Sequence, residues 1–105
     1  MTDEGRTAAL ERLERMEGHY RDALARVEAA EAGLKAIEDF FEAMRPLMDV
    51  YETTWLADRE AVAEDEAQTL AVLGEDAVWD LCTDQHGLAQ GMLRLAAEHF
   101  SPRGI

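Results

Sequence analysis

The chain is poor in the residues that tie or break a fold. It has one cysteine, Cys82, so no disulfide can close within it, and a reducing cytoplasm is the simplest expected location. Two prolines and a single serine leave little turn material, and β-branched residues never alternate over a strand-length run, which excludes a sheet. Basic side chains are scarce, 10 against 23 acidic, for a net charge of −13. Direct nucleic-acid binding and docking to anionic membranes are disfavoured, because both need clustered Lys and Arg. No uncharged apolar run reaches the ~18–20 residues of a membrane span. The opening MTDEGRTAAL lacks the basic and apolar regions of a signal peptide.

What is abundant is Ala, Leu, Glu and Arg, the strong helix formers. With 105 residues and 48% hydrophobic content, the expectation is one all-α domain over residues 1–105, frayed at 1–6 and 101–105. Counting by sevens, Leu13, Tyr20, Val27, Leu34, Phe41 and Met48 share one register, and Met16, Ala23, Ala30, Ile37 and Met44 a second. This predicts a helix from about Thr7 to Arg45. Gly18 and Gly33 each cost it about 1 kcal/mol against Ala, so packing must help hold it. Pro46 is expected to end or kink it, with Leu47–Tyr51 a short helical continuation.

Three shorter helices are expected to follow. The first is capped by Thr53 or Thr54 and runs to Glu66 or Gln68, with Trp55, Leu56, Arg59 and Val62 on its bulky edge. The second starts after the turn at Gly74 and buries Val78, Leu81 and Cys82. The third is capped by Thr83 or Asp84 and runs to Phe100, with Leu88, Met92, Leu95 and His99 on its apolar face. The seam from Leu13 to Met48 is about 54 Å long at 1.5 Å per residue, and the later helices together span about 57 Å. The chain can therefore cover its own seam, as a long N-terminal helix packed against three shorter ones in a helical hairpin or bundle. A monomer is expected on that basis. The alternative is a coiled-coil homodimer along the first helix; Tyr20, Ala23 and Ala30 suit antiparallel close packing better than a parallel pair.

The catalytic signatures searched for are missing. Glu-x-x-His and His-x3-His steps do not occur, nor does a phosphate-binding glycine loop. Ser101 sits beside Pro102, and Cys82 lies on an apolar face where a packing thiol is the simpler reading. No catalytic residue, metal ligand or cofactor is expected. Charge is unevenly spread instead: residues 1–45 carry net −4, residues 46–84 net −10 with Arg59 the one base, and residues 85–105 net +1. Trp55 and Trp79 flank or enter that acidic block. They are core anchors if buried and partner-binding hot spots if exposed.

The second half, VYETTWLADREAVAEDE followed by VLGEDAVWDLCTDQHGLAQGMLRLAAEHF, resembles a small bacterial family, domain of unknown function 4298. Tyr51, Trp55, Asp58, Val72, Leu73, Glu75, Asp76, Leu81, Leu88, Met92 and Leu95 carry the likeness, which extends over Leu10 to Phe100. The resemblance implies a long Glu-rich helix ahead of paired C-terminal helices and brings no activity with it. Gly74 stands where the family pattern has a capping serine, and the segment between Glu66 and Val72 is shorter than the pattern.

These readings converge on a non-enzymatic, acidic helical module of bacterial or mobile-element origin that contacts a protein partner. The candidate contact residues are Trp55, Asp58, Glu60, Glu64, Asp65, Glu66, Glu75, Asp76, Trp79, Asp80 and Asp84. A second reading is a DNA mimic, a phage-encoded anti-restriction or anti-CRISPR inhibitor of a basic, nucleic-acid-binding protein. That reading requires the carboxylates to share one surface.

Overall fold

The structure, a computed structural model, describes residues 2–62 and 70–102, and for Glu75 the backbone alone. The described residues are almost all helical, with no strand. They form α1 (Asp3–Thr53), α2 (Trp55–Ala61), a 3₁₀ turn (Ala71–Leu73) and α3 (Glu75–His99). None of these helices is long and apolar enough to cross a membrane. The chain falls into two units, Met1–Ala36 and Ile37–Ile105.

In the first unit, α1 begins at Asp3, four residues ahead of the expected Thr7. Thr2 makes the difference: its Oγ1 accepts from the Gly5 N–H at 3.1 Å and satisfies one of the orphan donors of the first turn. Asp3 and Glu4 place carboxylates at the positive end of the helix dipole. Thr7 does not cap, because its hydroxyl donates back to the Asp3 carbonyl at 2.9 Å. Further along, Glu17–Arg21 (2.8 Å) and Asp22–Arg26 (3.2 Å) are solvent-exposed pairs one turn apart, each worth about 0.3–0.5 kcal/mol. Leu10, Leu13, Met16, Tyr20, Leu24, Val27 and Leu34 are all between 49% and 67% exposed. The covered seam expected from the heptads is therefore not found along Leu13–Leu34.

The second unit holds the core. Its part of α1 turns Ile37, Phe40, Phe41, Met44, Leu47, Met48 and Tyr51 to one face at three- and four-residue steps, and all are half-buried or buried. Met44 and Val78 of α3 are the buried apolar residues, each 3% exposed. The Cys82 thiol meets the Met48 thioether at 3.7 Å, and Gln85 lines a groove with Phe41, Met44, Arg45, Met48 and Asp49. α1 nevertheless runs unbroken through Pro46 to Thr53, although the proline removes one N–H and disfavours α at Arg45.

Two expected boundaries are corrected. The break at Thr83 or Asp84 does not occur, and one helix runs from Glu75 to His99. A capping residue starts a new helix only where the preceding one has stopped, and no proline or C-terminal glycine precedes Thr83 to stop it. The chain after α1 thus shows two α-helices and a 3₁₀ turn among the described residues, in place of three helices. Neither Thr53 nor Thr54 caps α2 with its side chain: the Thr53 hydroxyl donates to the Asp49 carbonyl at 2.6 Å, and Thr54 makes no such bond. The expected end of the second helix at Glu66 or Gln68 lies outside the described residues. Gly74 caps α3 by backbone alone, at φ −78° and ψ 143°.

Met44→Ala should lower the unfolding free energy in urea by about 2–4 kcal/mol, whereas Leu93→Ala, at an exposed position, should change it by less than about 0.5 kcal/mol. Gly74 has extended backbone, and a Cβ there would meet the Ala71 carbonyl at an ordinary 3.5 Å. Gly74→Ser, which supplies an N-cap hydroxyl, should therefore raise stability by about 0.5–1 kcal/mol in the same measurement.

Candidate functional site

The two tryptophans have different roles. Trp55 opens α2 and is half-buried. Its indole Nε1–H donates to the Val72 carbonyl at 2.7 Å, which ties the 3₁₀ turn back to α2. Tyr51 lies 4.8 Å from it, centroid to centroid, and the Arg59 guanidinium sits over the ring at 5.2 Å. The indole N–H and the ring are both engaged within the chain, so Trp55 is a structural pin. Trp79 is 68% exposed on α3. With Cys82, Thr83 and His86 it lines an open, mainly apolar groove along one side of that helix.

The acidic candidates divide in the same way. Asp76, Asp80 and Asp84 are exposed and recur every fourth residue on α3. Their spacing makes one stripe with a rise of about 6 Å between neighbours. Asp76 is also three residues before Trp79, which makes it a surface neighbour of the indole. Asp58 and Glu60 are exposed on α2. Glu64, Asp65 and Glu66 lie outside the described residues, and so does the Glu75 side chain. The structure therefore brings together Asp76, Trp79, Asp80 and Asp84 on one helix, and leaves Trp55 out of that group.

Trp79, His86, Leu93 and Phe100 recur every seventh residue, and all four are exposed. This row lies outside the faces expected from the sequence, although its seven-residue spacing is legible there. Of the expected apolar face, Leu88, Met92, Leu95 and His99, only Met92 is half-buried. Leu81, expected in the core, is also exposed at the margin. α3 is apolar over an arc wider than its packed face, and its bulkiest side chains sit on the flanks of that arc. Among the described residues, no three His, Cys, Asp or Glu side chains are grouped to hold a metal ion.

The sequence profile of one family, described as Domain of unknown function (DUF4298), matches residues 13–95. No curated protein and no solved structure matches the chain.

Different exposure of the two indoles gives a direct check. In Trp55→Phe protein the remaining Trp79 fluorescence should be red-shifted and strongly quenched by acrylamide. In Trp79→Phe protein the remaining Trp55 should be bluer and quenched less.

Proposed function

The chain belongs to the family described as Domain of unknown function (DUF4298), and from its own residues we propose that it is a non-enzymatic, acidic protein-interaction module whose contact surface is centred on Trp79. The observation that carries this reading is an indole 68% exposed beside a stripe of three carboxylates. An exposed tryptophan in an apolar groove is a hot-spot residue awaiting burial. The partner that fits presents an apolar side chain to the groove of Trp79, Cys82 and His86, flanked by Lys or Arg facing Asp76, Asp80 and Asp84. Apolar burial would set the lifetime of the complex, and the stripe its salt-dependent encounter rate.

The DNA-mimic reading has less support. The stripe offers three carboxylates over about 12 Å, a length in which duplex DNA carries about seven charges. As to fold, we place the hairpin-like packing of the long helix against the C-terminal helix in the second unit; burial of Met44 and Val78 and the Met48–Cys82 contact support it. A reducing compartment such as the cytoplasm suits the free, half-buried Cys82.

Immobilised wild-type, Trp79→Ala and Asp76→Asn/Asp80→Asn/Asp84→Asn proteins, all checked for unchanged helicity, should be compared in quantitative capture from a bacterial lysate. The specific partner should bind wild type at least ~30-fold more tightly than the tryptophan variant. For the triple variant, binding should be weaker and nearly independent of salt, because the charges that salt screens are gone, whereas wild-type binding should weaken by 0.3 M salt, where the Debye length is about 6 Å. Identical captured sets for all three proteins would overturn this reading.

A further inference from the structure

The exposed seam of the first unit carries its own recognition code. Leu10, Leu13, Met16, Tyr20, Leu24, Val27 and Leu34 form one apolar strip about 36 Å long on α1. Ordinary monomeric surfaces do not leave so long a contiguous strip bare. Its composition alone does not say what covers it; the flanking charges do. With Leu13, Tyr20, Val27 and Leu34 at the first heptad position and Met16, Ala23 and Ala30 at the fourth, the position just after the fourth holds Leu10, Glu17, Leu24 and Glu31. The position just before the first holds Arg12, His19, Arg26 and Gly33. One margin of the strip thus carries acids and leucines, the other bases.

We propose that Leu10–Leu34 is the contact strip of a parallel, in-register homodimer. In that arrangement each residue on the basic margin faces the residue five positions later on the acidic margin of the partner copy. Arg12 then meets Glu17, Arg26 meets Glu31, and His19 covers Leu24, each twice by symmetry. An antiparallel pair sets acidic margin against acidic margin and basic against basic, so no opposite charges meet in any register. The sequence at the seam therefore selects both the occupant and its direction. Tyr20, Ala23 and Ala30 by size alone suit an antiparallel pair, but the margin charges outweigh that preference: Leu10 and Leu24 on the margin supply the apolar area the alanines lack, and Tyr20 can bury its ring while its hydroxyl reaches water. Glu17 and Arg26 are at present paired with Arg21 and Asp22 on the same helix. Such exposed pairs are weak and exchange partners at little cost. The homodimer strip lies in the first unit and does not depend on the Trp79 surface of the second.

Sedimentation equilibrium of the full chain tests the proposal. Wild type should run at twice the 11.7 kDa chain mass. Arg12→Glu/Arg26→Glu replaces four attractive contacts by repulsive ones and should raise the dimer dissociation constant about tenfold or more. Mixing that variant with Glu17→Arg/Glu31→Arg protein should restore a tight, now heteromeric, dimer, a recovery that a merely misfolded variant cannot show. Direction is read separately: Met16→Cys in a Cys82→Ala background should form an intermolecular disulfide readily, because residue 16 faces its own copy only when the helices run parallel and in register. A wild-type chain that stays monomeric, a dissociation constant indifferent to the charge reversals, or a dimer whose Met16→Cys form does not cross-link would each overturn the proposal.

Discussion

The contact of the Met48 thioether with the Cys82 thiol, with Met44 buried on α1 and Val78 on α3, is the interaction around which the described part of the second unit is arranged. Among the described residues Met44 and Val78 alone fall to 3% exposure, and Phe41, Met48, Cys82, Gln85 and Met92 are half-buried. α1 continues across Pro46, where local preference favours a stop.

A small core in a chain that is 48% hydrophobic leaves many large apolar side chains on the surface. They are not scattered. On α1 they form the strip from Leu10 to Leu34, and on α3 they form the flank headed by Trp79. The two differ in their charges, and that difference separates their proposed partners. The α1 strip has acids on one margin and bases on the other, whereas the α3 flank adjoins the carboxylates of Asp76, Asp80 and Asp84. The two proposals, self-association and contact with a basic partner, thus rest on different surfaces of one small chain.

The two tryptophans show how burial rather than residue type sets a role. Both lie in or beside the acidic block, and both are hot-spot residues by composition. Trp55 spends its N–H on the Val72 carbonyl and its faces on Tyr51 and Arg59. Trp79 stays open to solvent beside the stripe.

Helical class, the long first helix and the family were all legible in the sequence, because helix propensity, seven-residue periodicity and the Trp-x-x-Asp and Val-Leu-x-Glu-Asp pieces are local signals. The acidic stripe was half legible: Asp76, Asp80 and Asp84 were named, but Thr83 and Asp84 were also read as a helix cap, which would have divided the surface they share. A cap is a local preference, and the unbroken backbone ladder of α3 overrides it. Pro46 misled for the same reason, as did the choice between Trp55 and Trp79, since a side chain's exposure depends on neighbours distant in sequence. By itself, then, the sequence determined that this chain is helical, acidic and rich in apolar rows. Only tertiary structure decided which rows are covered and which stay exposed, because burial is a property of facing surfaces and no single helix carries both.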